Sequence, residues 1–371
     1  MVDLKNQYLK IKTDIDKAIE QVLLETDFIN GQKVKDFSNN LAKYLDVKHI
    51  IPCANGTDAL QIAMMTLDFE IGDEIILPAF TYVATAEVVA LLKLTPVLVD
   101  VDPNTFNIDI SKIEQAITPK TKAIVPVHLY GQSAQMDEIM QIAQKHNLYV
   151  IEDNAQAIGA YYTNNKGQKK RLGTIGHIGC TSFFPTKNLG CYGDGGALMT
   201  NNDILAQKIK MIANHGQIQK YHHKYIGINS RLDTIQAAIL DEKLKYLDNY
   251  SQLRFNTAMY YSEGLKDIEQ IQVPYLAKYS SHVFHQYTII IKTNQRDQLK
   301  EYLQKKSIPS MIYYPLPLNE QEAFKNCSKI IGNIENTYML CKSVLSLPMH
   351  TELNKQQQDF IISTIKEFFK K

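Results

Sequence analysis

The feature that most narrows the possible folds is a series of short apolar runs between residues 49 and 201, each ending in small or polar residues. They read "HIIPCANG", "DEIILPAF", "TPVLVDVD", "AIVPVHLYG", "LYVIEDNAQA", "CTSFFPTK" and "GALMTN". Apolar runs of this length bounded by turn residues fit strands buried on both faces. Segments of helical period, such as "DALQIAMMTL" and "MDEIMQIAQKHN", separate most of them. Strand and helix in alternation imply an α/β fold, a mostly parallel sheet covered by helices. Only a glycine loop joins the last two runs, so one of those strands is free to lie antiparallel. Ligands of such sheets sit beyond the carboxyl ends of the strands. The polar residues ending these runs are therefore site candidates: Asn55, Tyr82, His128, Asp153 and Lys187.

Residues 1 to 46 read as helical, with Ile11, Ile15, Ala18, Ile19 and Val22 at helical spacing. From about residue 240 the character changes. One long amphipathic helix is expected over "TIQAAILDEKLKYLDNYSQLRFNTAMYYSEGL", then a strand in "QYTIIIK" and a closing helix in "KQQQDFIISTIKEFFKK". A chain of 371 residues exceeds one compact core. The expected division is a large domain, 1–240, and a smaller α/β domain, 241–371.

The formal net charge of +1 leaves no electrostatic footprint for nucleic acid or an anionic membrane. Five cysteines without a C-x-x-C pair suit reduced thiols. The first twenty residues lack the apolar core of a signal peptide, and no later run could span a bilayer, so a cytoplasmic protein is expected. His222 and His223 are adjacent, and adjacent residues rarely chelate one ion, so no metal site is expected.

The stretch "SFFPTKNLGCYGDGGA" places one lysine, Lys187, before four glycines. A phosphate-binding P-loop has the reverse order, with Ser or Thr after the lysine. Asp153, just past an apolar strand, is a carboxylate in a mostly buried place, and such a group needs a partner. Pyridoxal phosphate requires both: a lysine to form a Schiff base and an acid to pair with the pyridine nitrogen. Its phosphate requires N–H groups at a helix N-terminus. Gly56 and Thr57 of "CANGTDALQIAMM" open such a helix, and Ser182 stands close enough to Lys187 in sequence to reach the same phosphate. Tyr82 of "PAFTYVAT" follows a strand, so its ring is placed to cover the pyridine.

"ANGTDAL", "AFTYVATAE", "VHLYGQ", "IEDNAQA", "SFFPTKNLGCYGDGGA" and "NSRLDTIQAA" stand in the order seen in the DegT/DnrJ/EryC sugar aminotransferases, and the chain resembles that family over essentially its whole length. The resemblance implies a fold-type-I pyridoxal-phosphate aminotransferase with a seven-stranded, mostly parallel sheet. It implies that Lys187 anchors the cofactor, Asp153 pairs with the ring nitrogen and Gln156 lies beside the ring. Gly56, Thr57 and Ser182 would hold the phosphate and Tyr82 stack on the ring. Family members are usually dimers with shared sites, and Asn229 would reach the other subunit's phosphate.

Within the family, "DLKNQ", "HGQ…YHH", "NSRLD", "PLPLNEQ" and "SLPMH" resemble aminotransferases acting on UDP-2-acetamido-2-deoxy-3-keto-glucuronic acid, which prepare O-antigen sugars. By that resemblance glutamate is the amino donor, and Arg231 and Tyr314 contact the sugar nucleotide. Tyr313 stands where that branch has His, which leaves open a neutral UDP-3-keto-GlcNAc substrate; a dTDP-keto-6-deoxyhexose is a further alternative. His128 is grouped with these substrate contacts. A pyridoxal-phosphate lyase and a non-catalytic regulator of the same fold are the rival readings.

Overall fold

The computed structural model describes residues 1–370. All seven apolar runs become strands of one sheet: His49–Cys53, Glu74–Pro78, Thr95–Val99, Thr121–Ile124, Tyr149–Asp153, Ile178–Ser182 and Gly196–Thr200. Gly196–Thr200 lies antiparallel between His49–Cys53 and Ile178–Ser182; the remaining pairings are parallel. The carboxyl ends of six strands thus share one edge with the amino end of Gly196–Thr200. The glycine loop, residues 187–195, hangs over that edge. Helices cover both faces, and every residue of Glu74–Pro78, Ile178–Ser182 and Gly196–Thr200 is buried, which explains why those runs show no polar alternation.

An eighth strand, Lys329–Ile330, extends the sheet beside Thr95–Val99. Two residues carry no period, so seven strands were expected. The addition is fastened by Lys329, whose amine pairs with Glu74 at 2.7 Å.

The long helix expected from Thr234 is two, Thr234–Leu244 and Leu247–Leu265. Neither Gly nor Pro marks the break, so periodicity runs straight through it. At Tyr246 the helical backbone flattens (φ −105°, ψ −2°) and its N–H bonds the Lys243 carbonyl, three residues back, at 3.0 Å. The first helix packs beneath the glycine loop with Phe183 and Leu189. The second reaches a separate core, where Tyr261, Leu265, Tyr287 and Leu345 meet. That core surrounds an antiparallel sheet of Ile271–Gln272, Tyr287–Ile291 and Val344–Leu347, covered by the helices Arg296–Lys305 and Lys355–Lys370. The strand expected in "QYTIIIK" is its central member. Among the described residues no helix is long and apolar enough to cross a membrane.

Candidate active site

A cavity of about 680 Å³ opens at the carboxyl edge of the main sheet. Asn55, Gly56, Thr57, Tyr82, Asp153, Gln156, Ser182 and Lys187 line it from the sheet side, and His285, Gln286, Tyr313 and Tyr314 from the C-terminal part of the chain. A groove of about 800 Å³ lies at the opposite edge, lined by Asp73, Thr121 and Tyr149 near the strands' amino ends. Sheets of this kind do not bind their ligands there.

The helix Gly56–Thr66 starts directly after the strand His49–Cys53. Asn55 caps it, its Oδ1 accepting the Asp58 N–H at 2.8 Å, a bond of a type worth about 1 kcal/mol. The Gly56 and Thr57 N–H groups belong to the unpaired first turn. A Cβ built on Gly56 would lie 2.7 Å from the Ser182 Cβ. Only glycine therefore lets the helix end approach Ser182 so closely. Ser182 Oγ accepts the Phe184 N–H at 3.3 Å, which leaves its own proton to donate. The helix end with its two backbone donors, Thr57 and the Ser182 hydroxyl line the same cavity, and this donor set fits the phosphate of pyridoxal phosphate.

Asp153 is buried at the end of its strand. Its Oδ2 accepts from Thr85 Oγ1 at 2.8 Å and its Oδ1 from the Ala155 N–H at 3.1 Å. Each oxygen can accept once more, as a pyridinium partner requires. Lys187 is half-buried in the cavity wall. Burial pushes its amine down to about 8, against the opposing pull of Asp153. Among the described residues none hydrogen-bonds to that amine. Gln156 is tethered at both ends, its Oε1 accepting the Tyr130 N–H at 2.8 Å and its Nε2 donating to Tyr314 Oη at 3.1 Å. Tyr82, 56% exposed, stands 6.3 Å from the Tyr314 ring across the cavity mouth.

His128 requires a correction. It is fully buried and does not line the cavity. Its Nδ1 accepts the Ala134 N–H at 3.2 Å, so the ring proton sits on Nε2 and is donated to Glu152, 2.9 Å away. Glu152 also accepts N–H groups from Gly173 at 2.8 Å and from Ile175 and Gly176, both at 2.6 Å. Burial alone would raise its proton affinity; the His128 and backbone bonds outweigh it and hold the carboxyl below its ordinary range. His128 is a structural residue because both of its ring nitrogens are engaged within the fold.

Asn229 and Arg231 also lie outside the cavity lining. Asn229 is exposed, in a bridge to Asn214; Arg231 is half-buried. His222 and His223 sit exposed in a two-stranded hairpin, His223 Nδ1 facing the His215 carbonyl at 2.8 Å. Thr85, Asp194 and His285 are among the residues of the site that escaped the sequence reading. Thr85 and Asp194 lie inside motifs quoted above, and His285 immediately precedes an expected strand, but each owes its place to contacts between distant segments.

The chain matches the model of the DegT/DnrJ/EryC1/StrS aminotransferase family over residues 9–366. It is 47% identical over 355 residues to a UDP-2-acetamido-2-deoxy-3-oxo-D-glucuronate aminotransferase of Pseudomonas aeruginosa, covering 95% of each chain. A UDP-N-acetyl-3-dehydro-alpha-D-glucosamine 3-aminotransferase of Acidithiobacillus ferrooxidans is 43% identical, with 99% of this chain and 96% of that one covered. A Geobacillus stearothermophilus protein named a pleiotropic regulatory protein is 44% identical, covering 100% and 98%. The crystal structure of a DegT DnrJ EryC1 StrS aminotransferase from Brucella abortus superposes with a TM-score of 0.95 at 42% identity, over 100% of this chain and 99% of that one. The chain is a member of the DegT/DnrJ/EryC1/StrS aminotransferase family.

Proposed function

We propose that the protein is a pyridoxal-phosphate-dependent aminotransferase that moves the amino group of glutamate to the C3 keto carbon of a UDP-linked 2-acetamido sugar. The observation that carries this is Lys187, an amine without a partner and shifted to about 8, in one cavity with Asp153 and the Gly56–Ser182 cradle. Pyridoxal phosphate, when bound, supplies an aldehyde for the lysine and a ring that withdraws electrons from the reacting carbon.

The chain's own residues do the rest. Gly56, Thr57 and Ser182 would hold the phosphate, and Asp153, oriented by Thr85, would keep the ring nitrogen protonated. Gln156 and Tyr82 would fix the ring. The Lys187 amine, when free, would hold and move the proton at the substrate carbon, a role matched to an amine that loses its proton near neutrality. The Phe184 ring, 50% exposed, and Tyr314 narrow the entrance and exclude water.

Lys187 is the one lysine or arginine lining the cavity among the described residues, although cofactor phosphate and sugar diphosphate both call for cations. A homodimer with shared sites meets that need, with Asn229 reaching the phosphate and Arg231 the diphosphate or a uronate of the neighbouring site. The division into domains 1–240 and 241–371 belongs to the same reading: the cavity then lies between them, with Tyr313 and Tyr314 facing the sugar. Identity to the Pseudomonas relative favours the 3-keto-glucuronate; a place in O-antigen sugar synthesis in the cytoplasm belongs to the same proposal. Tyr313 and the Acidithiobacillus relative support the neutral 3-keto-GlcNAc as the second substrate.

The test converts the enzyme to its amine form with glutamate and then offers each ketosugar separately. Return of the aldehyde form with the uronate alone supports the first substrate, and with the neutral sugar alone the second. Return with neither overturns the substrate assignment, and failure with glutamate overturns the aminotransferase.

A further inference from the structure

His285 stands in the cavity wall and the chemistry above does not use it. It is 7% exposed, and its Nδ1 is buried without a hydrogen-bond partner. A buried polar nitrogen left unpaired is unfavourable, and native proteins seldom tolerate one without a function. Its other nitrogen, Nε2, lies 3.4 Å from the amide nitrogen of Gln286. An amide nitrogen donates, so Nε2 accepts and the ring proton rests on Nδ1. The unpaired atom is therefore a donor.

Three bonds clamp the segment that delivers this donor. Asn188, the residue after Lys187, donates from Nδ2 to the Val283 carbonyl at 2.9 Å. Arg254 donates to the Phe284 carbonyl at 3.1 Å, and the Val283 N–H donates to Gly131 at 3.0 Å. Gly131 has φ +107°, and a Cβ there would stand 3.0 Å from Phe284 N and 3.1 Å from His285 N. Phe284 itself is held in the left-handed region, φ 45°, which a bulky residue adopts only when its surroundings force it. The clamp fastens residues 283–285 to the lysine loop. It presents His285 to the cavity containing Lys187, whose amine also lacks a partner.

We propose that His285 is a positioning residue for Lys187: in the cofactor-loaded enzyme its Nδ1–H donates to the lone pair of the lysine amine when that amine is free, holding it aimed and unprotonated, a bond that this structure leaves unmade. The inference rests on Lys187 being the catalytic lysine. The charged and titratable surroundings agree with it. Lys187 shares the cavity with the imidazole and Arg254 bonds the adjacent Phe284 carbonyl; burial first, then these two cations, hold the ring well below its ordinary range and hence neutral. Asp153, Asp194, Tyr313 and Tyr314 line the same cavity, and none hydrogen-bonds to the ring. His282, two residues earlier, is held down to about 3 by burial, and its Nδ1 is engaged by the Phe284 N–H.

The test measures the proton affinity of Lys187 directly. Full-length enzyme loaded with pyridoxamine phosphate, which leaves the lysine free, is trace-labelled with acetic anhydride across a pH series. Peptide mass spectrometry then reads the labelling of Lys187. His285→Phe removes the donor, and the midpoint is expected to rise by about one unit, with kcat at pH 7 falling about tenfold and KM for glutamate nearly unchanged. His285→Asn places an N–H where Nδ1 was and should restore both midpoint and kcat. His285→Gln places it on the far side and should behave like Phe, which preserves the test if Phe folds poorly. Folded Phe or Gln variants with the wild-type midpoint overturn the proposal, as does an Asn variant that restores nothing. Loss of the glutamate half-reaction in the wild type would instead overturn the aminotransferase reading, which separates the two failures.

Discussion

Lys187 and Lys243 bracket the same glycine loop, and burial pushes both amines down to about 8. They are nevertheless opposite kinds of residue. Lys243 is 1% exposed, donates to the Gly190 carbonyl and lies 5.0 Å over the Tyr192 ring. It pins the far side of the loop. Lys187 faces a cavity and has no hydrogen-bond partner. The neighbours Glu152 and Asp153 repeat the contrast on one strand, because alternate residues face opposite sides of a sheet. Glu152 accepts four hydrogen bonds and is spent within the fold; Asp153 accepts two and has capacity left. A shifted proton affinity therefore marks burial. Reactivity shows in what the group still lacks.

The sharpest way to break this contrast is Lys187→Ala. Turnover should fall on the order of 10⁴-fold or more, with the melting temperature unchanged or higher, since no internal hydrogen bond is lost. Single-turnover assay and thermal melting read the two effects, and an active variant ends the comparison. The carboxylate pair comes next. Asp153→Asn is expected to lower kcat on the order of 10²- to 10³-fold with little loss of stability. Glu152→Gln should instead destabilise the fold by about 3 kcal/mol, measured by denaturant unfolding, because an amide cannot accept all four bonds. Exchange of those phenotypes would mean that the strand's faces are misassigned.

The smallest effect is a pH slope. A lysine whose folded value lies near 8 and whose ordinary value is 10.5 carries a proton in the unfolded chain that the folded chain has released. Between those values the unfolded state binds more protons, so stability rises with pH from about 8 toward 10. In the cofactor-free chain both lysines contribute. If Lys187 anchors the cofactor as proposed, the loaded chain leaves only Lys243 to contribute, and Lys243→Met should flatten the remaining slope in urea titrations between about pH 8 and pH 10. An unchanged slope would show that Lys243 titrates normally.

Much of this molecule was legible before any coordinates. Strand identity depends on local apolar runs, and all seven central strands followed from them. The helix opening at Gly56, the acid at Asp153 and the lysine before a glycine loop are likewise local signals, each readable within a dozen residues. The sequence alone also located the strand in "QYTIIIK" and left one of the two strands flanking the glycine loop free to lie antiparallel, which Gly196–Thr200 does. It did not show the break at Tyr246, because nothing in the local composition opposes a continuous helix there. Whether His128 faces a ligand or Glu152, whether His285 reaches the cavity, and whether Arg231 stands inside or outside it depend on contacts between segments far apart in the chain. Those contacts exist only once the sheet, the lysine loop and residues 283–285 are packed together, so the tertiary structure alone decided them. A residue's type states what chemistry it can perform; burial and the partners it finds determine whether any of that capacity remains.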